Sequence, residues 1–201
     1  MKTTTTTTKT TQNNKIFHFI GLGGTGSNLV ELICKKGLQG KYTIITNPKR
    51  KVLDSTINFI KYIPNAKSTS LMSNSKVIKL ADYEGKVSIQ KKIKDVFKNE
   101  EIFVILAGFG GYTGTLLTVE LSKMLLENNK PFFIFCSLPF NFEEKRKVFA
   151  HEVKEKLQDY TNFSYFDLNS IGEKYGNEPI KVVTEKADEE LYRLIENNLL
   201  N

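Results

Sequence analysis

The sequence has no tryptophan, and only two cysteines, two histidines and five prolines in 201 residues. Cys34 and Cys136 each sit inside an apolar segment, without the spacing of a metal site or the density of a disulfide framework, so they read as reduced core residues. His18 falls inside a strand-like run and His151 inside an amphipathic helical one, with no nucleophile or metal-ligand spacing near either, which leaves imidazole catalysis unsupported. Paired carboxylates such as Glu143-Glu144 and Glu189-Glu190 are neighbours along helices and point in different directions, a poor arrangement for acid/base chemistry. No stretch approaches the roughly 18 consecutive apolar residues of a membrane span, and the amino end carries no apolar run of a secretory signal, so a cytoplasmic location is expected. The phosphate-binding pattern GxxxxGK[ST] does not occur, which excludes the ordinary P-loop architectures.

What is present suits a single globular domain: 40% hydrophobic and 11% aromatic residues. Residues 1–15, MKTTTTTTKTTQNNK, cannot bury enough surface to offset the entropy of ordering them and are expected to form a disordered tail, leaving 16–201 as the folded unit. The net charge of +7 is spread over every helical segment, densest at Lys49–Lys51, Lys91–Lys94 and Lys145–Lys147. Without an arginine-rich, aromatic-interleaved cluster, this is a solvated surface and not a nucleic-acid site.

Apolar runs of strand length occur at Ile16–Ile20, Tyr42–Ile45, Val77–Leu80, Ile102–Leu106, Phe132–Cys136 and Phe163–Leu168. Helical periodicity separates them at Asn28–Lys36, Val52–Tyr62, Val87–Phe97, Thr115–Leu126 and Glu143–Leu157, and a long amphipathic helix is expected over Ile180–Leu199. The alternation predicts an α/β fold with a doubly wound, mainly parallel sheet, and the continuous hydrophobicity of the runs at Ile102 and Phe132 places them mid-sheet.

Two glycine-rich turns carry the chemistry. The first, Gly21-Leu22-Gly23-Gly24-Thr25-Gly26-Ser27-Asn28, joins the first strand to the first helix, where the backbone can approach a ligand and the helix amino end favours phosphate. A dinucleotide enzyme would carry an acidic residue at the end of the second strand, but the chain reads Thr46-Asn47-Pro48-Lys49 there. The second turn, Ala107-Gly108-Phe109-Gly110-Gly111-Tyr112-Thr113-Gly114-Thr115, again follows a strand, so two helix amino ends would face one ligand edge, an arrangement suited to a polyphosphate.

This second turn resembles the glycine-rich signature of the tubulin/FtsZ superfamily, GGGTGTG in most FtsZ proteins, with Tyr112 replacing one glycine and Leu116 the last. Ser137-Leu138-Pro139-Phe140-Asn141-Phe142-Glu143-Glu144-Lys145-Arg146 is similar to the RPFxFEGKRR loop of FtsZ. The resemblance implies that Pro139 and Glu143 border the ribose, and that Lys147 stands where the family has an arginine, losing a planar grip. Asn169 matches an asparagine that reaches the nucleotide, and Lys186-Ala187-Asp188-Glu189-Glu190-Leu191 in the last helix resembles the start of the family's central helix, which places Asp188 where the residue that reads guanine stands. A carboxylate there would accept from the N1–H and amino group that adenine lacks; otherwise Asp188 is one more polar residue in a helix's first turns. Thr184 stands in place of the family's base-stacking phenylalanine.

The resemblance therefore implies a GTP- or GDP-binding domain, with magnesium as a companion of the phosphates. It gives as site residues Gly21, Gly23, Gly24, Thr25, Gly26, Asn28, Gly108, Gly110, Gly111, Tyr112, Thr113, Gly114, Thr115, Pro139, Glu143, Lys147, Asn169 and Asp188. It runs over residues 16–199, short of the family's catalytic loop and second domain, so little hydrolysis by this chain alone is expected. The expected role is a filament or assembly partner, acting with itself or with a full-length tubulin/FtsZ-like protein. The loop Ala81–Lys86 lacks the family's paired glycines and Asn47-Pro48-Lys49 lacks its aspartate, which bears on any GTP/GDP switch. Two alternatives stay open. GLGGTGS also matches the glycine loop of ThiF/ubiquitin-activating-type adenylating enzymes, although the second-strand acid is absent and the second glycine turn has no part there. A nucleotide-free interaction module would follow if Tyr112, Leu116, Lys147 and Thr184 crowd or loosen the site.

Overall fold

The computed structural model describes residues 16–63, 80, 89–99 and 101–200. The expected disordered tail, the run Val77–Lys79 and the loop Ala81–Lys86 lie outside them. Six strands are described: β1 Phe17–Leu22, β2 Lys41–Thr46, β3 Ile57–Lys61, β4 Ile102–Gly108, β5 Phe132–Leu138 and β6 Phe163–Asp167. The helices are α1 Gly23–Lys36, α2 Lys91–Val96, α3 Tyr112–Glu127, α4 Glu144–Leu157, α5 Leu168–Tyr175 and α6 Ile180–Leu200. The strands form one sheet in the order β3-β2-β1-β4-β5-β6, every pairing parallel.

The uninterrupted hydrophobicity of β4 follows from burial on both sides. Phe103 and Ile105 face a core shared with Ile93, Leu117, Leu121, Phe149 and Val153, on α2, α3 and α4. Val104 and Leu106 face the opposite core, where Leu29, Val30 and Ile33 of α1 meet Leu191 and Ile195 of α6. Each such side chain stabilises the fold by about 1.5–3 kcal/mol. A small third cluster, Phe140, Ile171, Val183 and Ala187, ties the loop after β5 to α5 and α6. Gly37, at φ 77°, ends α1 by returning its N–H to the Cys34 carbonyl, a turn for which glycine is suited.

One expectation is corrected. The run Val52–Tyr62 is not a helix: an open segment leads into β3, which pairs with β2. The Asp54 carboxylate accepts from the Thr56 N–H at 2.9 Å and the Thr56 hydroxyl at 2.6 Å, an Asx turn that breaks the run and lets Ile57–Lys61 extend. A short helix, α5, follows β6 directly and carries Asn169 in its first turn.

The direction of strand order reverses between β1 and β4. Ligands of open parallel sheets bind beyond the carboxyl ends of the strands at such a point, and both glycine turns lie there.

Candidate functional site

α1 begins directly after β1, with Gly23 at φ 71°. A Cβ on Gly26 would stand 2.1 Å from the Leu106 carbonyl oxygen, and one on Gly114 2.6 Å from that of Gly108. Only glycine allows α1 and α3 to lie this close to the sheet. The two turns also touch each other, since a Cβ on Gly23 would meet the Gly114 nitrogen at 3.2 Å and one on Gly108 the Thr25 hydroxyl at 2.5 Å. The starts of α1 and α3 are therefore side by side. Gly21 is likewise packed against Gly26, whereas a Cβ on Gly24 would meet nothing within 4 Å.

Neither α1 nor α3 is capped by a side chain, and neither carries an acid in its first turn. Their first amides, which have no intrahelical acceptor, and their partial positive charge are thus left for an anion. α5 behaves differently: its cap, Asp167, accepts from the Asn169 N–H at 3.0 Å. Thr115 is fully buried and its Oγ1 accepts from the Gly110 N–H at 2.9 Å, shaping the second turn from within. Thr113 is half-buried beside it.

The loop after β5 gathers the next set of candidates. Pro139 is buried, and Glu143 stands at the N-cap position of α4 without a side-chain cap bond, accepting instead from the Phe140 N–H at 3.3 Å and pairing with Arg146. The Lys147 ammonium donates to Asn141 Oδ1 at 2.6 Å, the Asn141 N–H to Asn169 Oδ1 at 2.7 Å, and the Asn169 amide to Asp167 Oδ1 at 2.6 Å. Lys147 and Asn169 are joined in this way through Asn141, which had no expected role. Of the aromatic pair, Phe140 is buried and Phe142 is 73% exposed.

On the other flank, Asp188 of α6 hydrogen-bonds to Asn28 of α1. Burial pushes the Asp188 carboxyl up to about 6, against the Asn28 bond and the charge of Arg50, with Glu185 and Glu189 adding to the rise. Among the described residues no group of acids, histidines or cysteines could hold a metal ion.

No family model matches the chain. FtsZ, the cell division protein of Mycoplasmopsis pulmonis, is 31% identical over 166 residues, which take in 81% of this chain and 42% of the relative. The mitochondrial division protein fszB of Dictyostelium discoideum is 32% identical over 149 residues, 71% of this chain and 40% of the relative. An empty FtsZ dimer structure from M. jannaschii matches with a TM-score of 0.68 and 19% identity, covering 92% of this chain and 55% of that one. The chain belongs to the tubulin/FtsZ superfamily. A GDP-bound CetZ1 monomer from Haloferax volcanii shares the fold at a TM-score of 0.60 and 17% identity, over 89% of this chain and 58% of that one. The chain thus spans about two-fifths of the length of these FtsZ-type sequence relatives. No described helix is long and apolar enough to cross a membrane.

The positions that depart from the tubulin/FtsZ signature do not fill the crevice. Tyr112 is 8% exposed and its ring lies in the core on the α3 side of the sheet, with its hydroxyl close enough to Tyr62 to raise the Tyr62 pKa; Leu116 lies in the same core. Of Tyr112, only the backbone borders the turn. Thr184 is exposed on α6. Two cations join the site without having been expected there. Arg146 packs on the second turn, its side chain 2.8 Å from where a Cβ on Gly110 would stand and its guanidinium 3.6 Å from that of Gly111. Arg50 reaches from the loop after β2 to Glu31 of α1 at 2.7 Å. The spacing of Arg146 from Glu143 on a helix hints at the first; nothing local signals the second.

Proposed function

We propose that the crevice binds a guanine nucleotide, GTP or GDP, with its phosphates across the starts of α1 and α3, its ribose against the loop after β5 and its base against Asp188. The observation that carries this reading is the pair of uncapped, acid-free helix starts held in contact at the sheet's switch point. Asp188 and Asn28, which share a hydrogen bond on the opposite flank from Glu143 and Asn169, supply an acceptor for the guanine N1–H and amino group. Arg146 stands where it would meet the phosphates, and magnesium would be held by those phosphates and by water, because no protein cage is available among the described residues.

The role assigned to the site is binding first. Donors and cations dominate it, and its acids are engaged: Glu143 by Arg146 and the Phe140 amide, Asp188 by Asn28. A general base for water is not supplied by these groups. With nucleotide bound, the face offers itself to a second tubulin/FtsZ-type subunit. An adenylating role is not favoured, because the end of β2 offers Asn47, whose Oδ1 is occupied by the Lys49 N–H at 2.9 Å, and no acid for an adenosine ribose. A nucleotide-free module loses its main support with the Tyr112 ring in the core.

Calorimetric titration with GTP, GDP and ATP in magnesium buffer, with phosphate release followed in the same samples, tests the reading. Guanine-selective binding with negligible turnover is expected. Absence of guanine binding, or equal affinity for ATP, would overturn it.

A further inference from the structure

We propose that Arg50, from the loop after β2, is a specificity-determining residue that grips the O6/N7 edge of the guanine while Asp188 takes the N1/N2 edge. The inference rests on the reading of the crevice as a guanine-nucleotide site and adds a contact that no resemblance assigns.

The local chain presents Arg50 at the correct edge of the sheet. β2 runs parallel to β1, so the loop after β2 emerges beside the first glycine turn. Asn47 then fixes a turn, its side chain accepting from the Lys49 N–H at 2.9 Å and its carbonyl from the Arg50 N–H at 3.2 Å. Arg50 leaves this turn over α1 and donates to Glu31 Oε2 at 2.7 Å. Glu31 lies one helical turn beyond Asn28, on the same face of α1, and Asn28 is the hydrogen-bond partner of Asp188. Arg50, Asn28 and Asp188 therefore surround one spot from three elements, and the positive charge of Arg50 is felt at the Asp188 carboxylate.

The guanidinium is under-used there. Its Nε is shielded from solvent and meets no acceptor among the described residues, while one terminal nitrogen is spent on Glu31. A planar fork with spare donors matches the two acceptors of guanine, O6 and N7, and Arg to O6/N7 is the commonest specific guanine contact. Adenine presents an amino group in place of O6 and would oppose the same donors. Asp188 and Arg50 together would then read complementary edges, which also compensates for Thr184 where the resemblance expects a stacking ring.

The experiment is a binding series with GDP, 7-deaza-GDP, IDP and ADP on the wild-type chain and the Arg50→Ala, Arg50→Lys and Asp188→Asn variants, with melting curves confirming that each is folded. For the wild type, 7-deaza-GDP should bind on the order of tenfold more weakly than GDP. Arg50→Ala and Arg50→Lys should bind GDP and 7-deaza-GDP alike, since lysine keeps the charge and loses the fork. Asp188→Asn should keep the 7-deaza penalty and lose the preference for GDP over IDP. If the Arg50→Ala variant retains the 7-deaza penalty, or if Arg50→Lys behaves as wild type, the fork contact is wrong while the guanine site stands. If the wild type binds no guanine nucleotide, both readings fall.

Discussion

His18, near the start of β1, sits inside a closed set of hydrogen bonds, whereas Leu22, at the other end of the same strand, hands the chain to a helix whose first amides have no side-chain cap. At the first end, His18 Nδ1 meets Glu101 Oε2 at 2.6 Å, His18 Nε2 meets Thr43 Oγ1 at 2.8 Å, and Lys41 pairs with the same carboxylate. His18, Thr43 and Glu101 are all buried. Burial lowers the His18 pKa despite Glu101; Glu101 is pushed up by burial but held below its ordinary value by its bonds from Lys41 and His18. A neutral imidazole carrying its proton on Nδ1 donates to Glu101 and accepts from Thr43, so the set is satisfied without outside help. At the second end, the starts of α1 and α3 converge with no side-chain cap among the described residues. Polar groups that complete one another hold the fold; polar groups that converge without partners await a ligand.

The comparison breaks most severely at the glycines. Gly26→Ala would drive a methyl into the Leu106 carbonyl and should destabilise the chain by about 3 kcal/mol or more, read as a large fall in denaturation midpoint. Gly24→Ala, in open space, should leave that midpoint nearly unchanged and weaken GDP binding instead. A Gly26→Ala protein as stable as wild type would mean that α1 does not lie as close to β4 as described.

At the paired end, Glu101→Gln should cost about 1–3 kcal/mol by stranding His18 and Lys41, with GDP affinity unchanged once the protein is folded. The same network gives a pH signature. His18 has a lowered and Glu101 a lowered pKa in the folded state, so both contribute stability that is lost as pH falls, His18 below about 6.5 and Glu101 in the carboxylate range. Urea denaturation as a function of pH checks this, and the Glu101→Gln variant should show a shallower acid limb.

Asp188 has the opposite sign. Its folded pKa is raised from 3.8 to about 6, so the stability tied to its proton is present at low pH and is lost as pH rises through that window. On the proposed reading the guanine contact uses the carboxylate, so GDP affinity should fall by up to tenfold per pH unit below about 6. Asp188→Asn should remove that part of the pH dependence, leaving only the titration of the phosphates. An identical pH profile in the variant would separate Asp188 from the base.

The mildest change is Tyr112→Phe, which removes a buried hydroxyl beside Tyr62 in the core and should change stability by about 1 kcal/mol or less, with GDP affinity within twofold of wild type. A larger loss of binding would place the hydroxyl at the ligand.

Much of the fold and of the crevice is legible in the residues, and for physical reasons. Glycine at positions such as 26 and 114 records a close approach of backbones that no other residue permits, so the glycine pattern by itself locates both turns. The doubly wound sheet follows from runs such as Ile102–Leu106, whose unbroken apolarity matches burial on two faces. Val52–Tyr62 reads as a helix in sequence because its apolar positions satisfy a helical period as well as a strand, and the deciding Asp54 turn is a local hydrogen-bond choice. The side chain of Tyr112 cannot be oriented from sequence, because its neighbour, Tyr62, is distant along the chain. Arg50 and Arg146 matter only through what α1 and the second turn place beside them.

The central claim is that the two glycine turns and Asp188 form one guanine-nucleotide site. Backbone amide NMR of the chain titrated with GDP tests it most directly. The account predicts shifts confined to Gly23–Asn28, Gly108–Thr115, the loop around Asn141 and Asn169, and the turn of α6 that holds Asp188, with His18, Lys41 and Thr43 unmoved. Shifts centred on the His18 end, or none at saturating GDP, would contradict it.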